Sequence, residues 1–315
     1  MHFGYFLSSE EHSPRELLDQ AVAAEQAGFS SVFISDHFHP WIDRQGQSPF
    51  VWSVIGAIAA RTNLQITTGV TCPTVRLHPA IVAQAAATSQ LLCQGRFRLG
   101  VGSGENLNEH ILGDRWPSAE VRLEMLEEAV QVLRGLWEGG NYSHHGRHYI
   151  VENARIYSLP EVPPPILVSG FGPKAIKLAA HIGEGFVTTK PSADHLQLFR
   201  EAGGGGSAVA ACKVCWGEEE SEALETAFQL WPTEALSGQL SQELPMPRHF
   251  EEAASVVTKE MMADTIACGP EPKGYVDLIG RYLSAGFDEL FINQIGDDAH
   301  GFFEFFNREL RPQFS

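Results

Sequence analysis

Short apolar runs alternate along the chain with longer segments whose apolar residues recur at helical spacing. Apolar strands that alternate with helices indicate a parallel sheet that is buried on both faces. The predicted strands are His2–Leu7, Ser31–Ser35, Gln65–Val70, Phe97–Val101, Ile166–Ser169, Gly185–Thr188, Ala208–Cys215 and Glu289–Asn293.

Helical segments follow these strands, and the first of them has the clearest start signal. Ser13 is the predicted N-cap, Pro14 takes the first helical position, and Glu16 completes a capping box. The predicted helices are Pro14–Ala27, Phe50–Arg61, Ile81–Leu92, Ala119–Trp137, Lys174–Ile182, Asp194–Ala202, Glu219–Leu230, Pro272–Ala285 and His300–Leu310.

About eight strand–helix units favour a closed barrel over an open doubly wound sheet. We therefore predict an α/β fold, a single (β/α)8 TIM barrel that covers residues 1–315. Residues 231–264 fit no unit and are interpreted as an insertion, with helical pieces near Phe250–Met262. Four consecutive glycines, Gly203–Gly206, predict a flexible joint.

Composition and net charge limit the classes of molecule that this protein is expected to bind. Of the 315 residues, 43% are hydrophobic, which is typical of a globular protein. The net charge of −17 argues against nucleic acid or an anionic membrane surface and leaves a small molecule as the expected partner. No export signal or membrane span is visible, and the five cysteines are scattered, so we expect reduced thiols and a cytoplasmic location.

Chemistry in a barrel is expected at the C-terminal ends of the strands. Asp36 and His37 follow the second strand, and a histidine can take or return a proton near neutral pH. Trp41 could stack on a flat ring, and Glu105 lies in a glycine-flanked turn where burial would raise its pKa. A hydrogen-bonded loop histidine, a packed rim tryptophan and an exposed first-turn carboxylate are the structural alternatives.

Three other motifs could carry chemistry or have a purely structural role. The loop Ser169–Pro173 opens a helix that carries Lys174 and Lys177, so its amides could bind an anion. Cys212-x-x-Cys215 lies in a predicted strand and is interpreted as structural thiols rather than as a metal or redox site. The histidine-rich tract at 144–148 is interpreted as a polar hairpin.

Together these residues resemble the luciferase-like monooxygenase superfamily, and within it the F420-dependent oxidoreductase branch related to F420-dependent glucose-6-phosphate dehydrogenase. The resemblance covers nearly the whole chain, strongly up to residue 185 and weakly over 190–265. The matching segments are Ser35–Phe38 with Pro40 and Trp41, Arg44–Phe50, Val70–Arg76 with His78–Ala80, Gly102–Glu105 with Leu107–Glu109, and Leu159–Pro160 with Pro163–Pro165.

The resemblance implies catalytic roles for four residues. His37 would be the base that removes the hydroxyl proton of an alcohol, and Glu105 would protonate the reduced coenzyme ring or act as its partner acid. Trp41 and Glu10 would line the reaction site. The resemblance also implies a cis peptide bond between Gly69 and Val70. The residues implied to contact the coenzyme are Asp36, Gly69, Val70, Cys72, Ser103, Asn108, Ser169, Gly170, Phe171, Gly172, Lys174 and Ala175.

The resemblance implies hydride transfer between F420 and an alcohol or carbonyl compound, in a homodimer. One departure disfavours a sugar phosphate, because Met262 stands where the family has a phosphate-binding lysine and Lys190 is displaced from another. An FMN-dependent relative is the first alternative, and a flavin-binding barrel without catalysis is another. A metal-dependent barrel hydrolase is a remote one, suggested by the spacing of His37 and His39, although the later strand ends lack ligands; no metal site is expected.

Overall fold

The computed structural model describes residues 1–236 and 238–314. The described strands are β1 His2–Leu7, β2 Ser31–Ile34, β3 Gln65–Thr68, β4 Phe97–Val101, β5 Tyr142–His145, β6 Ile150–Ala154, β7 Ile166–Ser169, β8 Gly185–Thr188, β9 Ala208–Cys215, β10 Ala267–Cys268 and β11 Glu289–Gln294.

Helices lie between the strands, and short 3-10 turns join several of them. The described helices are α1 Pro14–Gln26, α2 Val51–Arg61, α3 Pro79–Leu92, α4 Asn106–Glu109, α5 Ala119–Trp137, α6 Pro173–Ile182, α7 Ala193–Glu201, α8 Glu220–Leu230, α9 Leu240–Glu243, α10 Pro247–Ala254, α11 Lys259–Thr265, α12 Pro272–Ala285 and α13 Ala299–Phe305.

Eight parallel strands form a closed barrel. Their order is β1, β2, β3, β4, β7, β8, β9 and β11, and β11 pairs with β1 to close the ring. β10 adds to the end of β9, while β5 and β6 form a separate antiparallel hairpin. The predicted TIM barrel is thus confirmed, and so is the hairpin expected around the histidine-rich tract.

The core has two layers, as strands buried on both faces require. Inside the barrel, Phe6, Phe33, Val209, Ala211 and Phe291 pack in one apolar cluster. A larger cluster fills the space between the strands and the surrounding helices. None of the described helices is both long and apolar enough to cross a membrane.

Local signals in the sequence explain several element boundaries. The capping box of α1 is present: the Glu16 amide donates to Ser13 Oγ, and the Ser13 amide donates to Glu16 Oε2 at 2.8 Å. α3 begins at Pro79 instead of Ile81, because the His78 side chain caps it by accepting from the Ala80 amide at 3.2 Å.

The segment interpreted as an insertion carries α9, α10, α11 and a 3-10 turn at Pro232–Ala235. Met262 is fully buried there, in an apolar cluster with Trp231 and Ala254. Met262 therefore packs into the core of this segment and offers no charge to a substrate.

Candidate active site

Loops after β1, β2 and β4 bring three ionisable side chains together at the C-terminal mouth of the barrel. Glu10 Oε1 lies 2.9 Å from His37 Nδ1. On the other side of the ring, Glu105 Oε2 lies 3.4 Å from His37 Nε2. Each nitrogen of one imidazole therefore faces a different carboxylate, and only Glu105 is substantially exposed, at 30%.

Glu10 is fixed in place and ionised. Its side chain is 2% exposed, and its second oxygen accepts hydrogen bonds from Ser8 Oγ at 2.9 Å and Ser35 Oγ at 2.8 Å. Burial alone would raise the pKa of Glu10, but the positive charge and hydrogen bonding of His37 lower it to about 2. An ionised Glu10 holds a proton on Nδ1 and leaves Nε2 as the nitrogen that exchanges protons.

The two partners also set the basicity of the imidazole. Burial would lower the pKa of His37, but the charge and hydrogen bonding of Glu10, with the charges of Glu105 and Asp36, raise it above its ordinary value. Burial raises the pKa of Glu105, although the His37 charge opposes the rise. Because Nε2 and Glu105 are so close, they titrate as a coupled pair.

The side chain of Asn108, in α4, links the His37 loop to Glu105. Its Oδ1 accepts from the backbone amides of Phe38 at 2.9 Å and His39 at 3.1 Å, and its Nδ2 donates to Glu105 Oε2 at 3.2 Å. The family resemblance implies a coenzyme contact at Asn108. In the structure the amide ties the His37 loop to Glu105, so positioning is its visible role.

Trp41 forms a wall beside the imidazole. Its ring lies 5.3 Å from the His37 ring at an interplanar angle of 69°. On its other side it meets the Phe250 ring of α10 edge to face, at 5.2 Å and 87°. The segment interpreted as an insertion thus supports one side of the candidate site.

A second ionic group lies beneath the His37 loop. Asp36 is 3% exposed and accepts from Thr71 Oγ1 at 2.7 Å and Arg76 Nη2 at 2.9 Å. Arg76 also lies 3.7 Å from Glu109, which accepts its backbone amide at 2.7 Å. Sequence reasoning missed Arg76 and Glu109 as parts of the site, although both are charged residues that closely follow strand ends, Arg76 after β3 and Glu109 at the end of α4 after β4.

The floor beside these groups is made by the backbone after β3 and β4. The Gly69–Val70 peptide is cis, as the resemblance implies. A Cβ on Gly102 would lie 2.7 Å from Val70 Cγ2 and 3.6 Å from Cys72 Sγ, so only glycine fits. Burial raises the pKa of Cys72 well above its usual value, with the charges of Glu109 and Glu105 adding to the rise, so this thiol stays neutral.

The loop after β7 is only partly free to bind a ligand. The Gly170 amide donates to Val187 O at 3.3 Å, and a Cβ on Gly170 would lie 3.0 Å from the Ala175 backbone. Gly170 therefore serves the packing of α6 on the barrel. Gly172 differs, because a Cβ there would meet no atom within 4 Å.

The N-terminus of α6 lies beside this open space and has no side-chain cap. Gly172 is its N-cap and provides no side-chain cap, which leaves the amides of Lys174 and Ala175 without capping acceptors. In the same loop Ser169 is half-buried and Phe171 is 41% exposed. Ser103, which follows β4, is also half-buried. The Lys174 ammonium turns outward and pairs with Glu120 of α5.

A cavity of about 260 Å³ opens beside β8 and β9. Lys213 lines it, and this residue was also missed from the sequence. The sequence could have indicated this position, because the alternation of side chains along β9 puts Lys213 on the same inward face as Val209 and Ala211.

The cysteines and histidines outside the mouth do not form a second centre. Cys212 and Cys215 are buried in β9, and burial raises the pKa of Cys212 to about 12. Within residues 1–236 and 238–314, no group of three or more His, Cys, Asp or Glu side chains is arranged to hold a metal ion. His39, two residues after His37, instead places Nδ1 2.8 Å from Leu107 O.

Two known proteins are similar to nearly the whole of this chain. The F420-dependent glucose-6-phosphate dehydrogenase of Microbacterium testaceum is 35% identical over 327 aligned residues, which cover 99% of this chain and 97% of that protein. The solved structure of an F420-dependent secondary alcohol dehydrogenase in complex with an F420-acetone adduct superposes with a TM-score of 0.91 at 30% identity. This match covers 100% of this chain and 99% of the other.

A more distant structure shares the fold. The coenzyme F420-dependent tetrahydromethanopterin reductase of Methanopyrus kandleri superposes with a TM-score of 0.80 at 20% identity, over 100% of this chain and 99% of the other. The family model described as luciferase-like monooxygenase matches residues 1–289. With most of the barrel inside that match, the chain belongs to the luciferase-like monooxygenase family.

Proposed function

We propose that this protein is an F420-dependent oxidoreductase that transfers a hydride between the coenzyme and an alcohol or carbonyl carbon. The observation that carries the proposal is the imidazole of His37 between Glu10 and Glu105 at the barrel mouth. An obligate hydride carrier needs a protein that manages protons, and this group offers one fixed and one exchangeable proton position. The F420-dependent relatives support the choice of coenzyme.

The residues present fit such a coenzyme. Its anionic tail would lie at the open space beside Gly172, where the α6 amides of Lys174 and Ala175 have no capping side chain. The ring would lie on the backbone at Gly69, Val70 and Cys72. Bound there, F420 supplies the site that accepts or returns the hydride.

Three side chains, those of Glu10, His37 and Glu105, have separate roles in proton transfer. Glu10 keeps the proton on Nδ1, so Nε2 can take the hydroxyl proton when an alcohol is oxidised. Glu105, with its raised pKa, is the second proton donor and acceptor. Trp41 keeps water away from one side of the imidazole.

We propose an unphosphorylated alcohol or carbonyl compound as the substrate. The secondary alcohol dehydrogenase supports this class. The glucose-6-phosphate dehydrogenases make a sugar phosphate the second candidate. A homodimer and a cytoplasmic location stay predictions.

One titration and one substrate panel test the proposed function. The purified protein is titrated with F420 and separately with FMN, and loss of F420 absorbance is then followed with secondary alcohols and sugar phosphates. We expect tight binding of F420 and reduction of F420 by at least one secondary alcohol. Tight binding of FMN with none of F420 would contradict the coenzyme, and turnover confined to sugar phosphates would contradict the substrate class.

Lys174→Glu should weaken F420 binding modestly. The side chain is 74% exposed and pairs with Glu120, so it contributes a screened charge near the helix N-terminus. We expect the Kd for F420 to rise about two- to fivefold at low salt, with the difference shrinking as salt is added. Lys273→Glu makes the same charge change on α12 and is the control. Equal affinities for Lys174→Glu and the wild type at low salt would place the tail elsewhere.

Glu105→Gln should slow turnover without weakening coenzyme binding. Glutamine keeps the size of the side chain and its reach to Asn108 but cannot exchange the proton that Glu105 shares with His37 Nε2. We expect kcat to fall about tenfold or more and the pH profile of kcat/KM to lose one limb. An unchanged bell-shaped profile would argue against a proton role for Glu105.

A further inference from the structure

Glu11 is the neighbour of Glu10 in the loop after β1 and takes no part in the proposed proton transfer. Its carboxyl group joins two other parts of the chain. Oε1 accepts a hydrogen bond from the Trp231 indole Nε1 at 2.6 Å, and Oε2 accepts one from the Gly296 amide at 3.0 Å. Trp231 lies at the C-terminal end of α8, and Gly296 follows β11. One side chain thus ties the loop that carries Glu10 to two segments far away in the sequence.

The Trp231 side chain is a buried anchor. It is 2% exposed and belongs to the apolar cluster that contains Ile295 and packs against Trp41. Lys213 Nζ lies 4.1 Å from the centre of the Trp231 ring and 2.7 Å from Glu234 Oε1. These contacts fix the ring, so that its N–H keeps a constant position at the carboxylate.

A short series of hydrogen bonds continues from Trp231 to Trp41. The carbonyl of Leu230, the preceding residue, accepts from Gln45 Nε2 at 2.9 Å. Gln45 is buried, and its Oε1 accepts from the Trp41 amide at 2.8 Å. The Trp41 ring is the wall beside the imidazole at the barrel mouth. The carboxylate of Glu11 is therefore connected to this wall through one buried glutamine.

The other end of the Trp41 loop is tied directly to the backbone of Glu10. The Gln47 amide donates to Glu10 O at 3.0 Å. The segment from Trp41 to Gln47 is thus attached twice to the loop after β1, once at Glu10 and once from Glu11 through Trp231. Loss of the second attachment would free Trp41 and leave the first attachment intact.

Glu11 titrates near neutral pH. Burial raises its pKa to about 7; the Glu10 charge adds to the rise, and the hydrogen bonds from Gly296 and Trp231 oppose it. An ionised carboxylate only accepts hydrogen bonds and therefore suits two donors. A protonated carboxyl carries a donor of its own, so one of the two hydrogen bonds is lost as the pH falls.

The groups around this carboxyl do not share its titration. Burial raises the pKa of the nearby phenol and thiol and lowers that of the nearby imidazole, which keeps all three neutral: Tyr5 in β1, Cys215 in β9 and His12 in the same loop. The charged neighbours are the ionised Glu10, the exposed Asp297 next to Gly296, and the Lys213–Glu234 pair at the Trp231 ring. The change of charge near pH 7 is therefore that of Glu11.

We propose that Glu11 is a positioning residue for Trp41, whose ionised carboxylate holds the wall of the substrate site in place and whose protonation loosens it. The inference rests on the proposed function, because it concerns the substrate site of the same reaction. Trp41 exchanges no proton itself, so the effect falls on substrate binding and orientation rather than on the proton-transfer step.

Two-dimensional NMR of the tryptophan indole N–H groups in the full-length protein tests the first hydrogen bond without turnover. The Trp231 resonance is assigned with Trp231→Phe. We expect it to shift with a midpoint near pH 7, and Glu11→Gln should abolish that shift. Glu304→Gln removes an exposed carboxylate from α13 and is the control that should keep it. A Trp231 resonance that does not follow pH would overturn the proposal.

The connection to Trp41 is tested in the same way. The Trp41 resonance is followed in His37→Ala protein, so that the imidazole 5.3 Å away does not contribute. We expect it to shift with the midpoint of Trp231. Gln45→Met keeps the length of the side chain but cannot form these hydrogen bonds, so it should stop the shift of Trp41 and leave that of Trp231. A Trp41 resonance that still follows Trp231 in Gln45→Met would overturn the proposal.

Steady-state kinetics with F420 and propan-2-ol give the second readout. In Glu11→Gln one side-chain oxygen becomes an amide donor that faces another donor. We expect KM for the alcohol to rise about three- to tenfold while kcat and the Kd for F420 stay within about twofold. The wild-type KM should rise as the pH falls below about 7, and Glu11→Gln should lack this dependence. Loss of kcat at unchanged KM would indicate a damaged fold and would contradict positioning.

The outcomes separate the inference from the proposed function. If the resonances behave as expected but neither propan-2-ol nor another secondary alcohol reduces F420, Glu11 positions Trp41 and the proposed function fails. If secondary alcohols reduce F420 while the Trp231 resonance stays constant across neutral pH, the proposed function stands and the role of Glu11 is wrong.

Discussion

Replacing His37 by alanine should lower kcat for alcohol oxidation by about 10²–10⁴-fold while the Kd for F420 stays close to that of the wild type. The Nε2 atom of the imidazole lies beside the partly exposed Glu105, and Glu10 fixes the other nitrogen. Removing the ring leaves the hydroxyl proton without an acceptor. Steady-state kinetics with a secondary alcohol, together with an F420 titration, measure both quantities.

His39→Ala is the matched control for this result. His39 lies in the same loop, but its Nδ1 faces Leu107 O, and its ring stacks on His110 at 5.8 Å. We expect little change in kcat. A metal-dependent hydrolase built on both histidines would lose activity in both variants, whereas a single catalytic base is lost only with His37. Near-normal turnover in His37→Ala would refute the base assignment.

The barrel could be predicted because its signals are local. Apolar runs separated by helical patterns define eight units, and capping at Ser13 marks the first helix. The prediction failed where a boundary depends on the rest of the fold. The pattern predicts that β3 reaches Val70, but the strand ends at Thr68, just before the cis peptide at Gly69–Val70. The four-residue helix α4 is too short to show a period.

The candidate site was predictable only as a set of residue types at strand ends. That rule brought His37 and Glu105 to one mouth, and the structure places them 3.4 Å apart. Which nitrogen each carboxylate faces is a matter of tertiary geometry. The same holds for Lys174, whose partner Glu120 lies 54 positions away along the chain and could not be inferred from local sequence.

The cavity shows the same division between local and tertiary information. The two-residue spacing of Val209, Ala211 and Lys213 along β9 places all three side chains on the inward face of the strand. The inward orientation of Lys213 could therefore have been predicted. Its neutralisation by Glu234 could not, because that residue belongs to a segment with no clear pattern.

Glu10→Gln should lower kcat by about 10²-fold and should also move the acidic limb of the pH profile. In the native site Glu10 Oε1 lies 2.9 Å from His37 Nδ1, and this carboxylate keeps a proton on that nitrogen. A glutamine amide can donate to Nδ1 instead, which favours the tautomer whose Nε2 is already protonated. Nε2 would then be unable to accept the hydroxyl proton, and turnover would fall.

The direction of the pH shift follows from the charge. Glu10 is the largest of the influences that raise the pKa of His37, so removing its negative charge lowers that pKa. Alcohol oxidation needs neutral His37 and rises with pH as His37 loses its proton, so the acidic limb should move to lower pH. Glu10→Asp keeps the charge and should hold the limb near its native position, even where shorter reach costs kcat. A limb that stays fixed in Glu10→Gln would show that another group controls this ionisation.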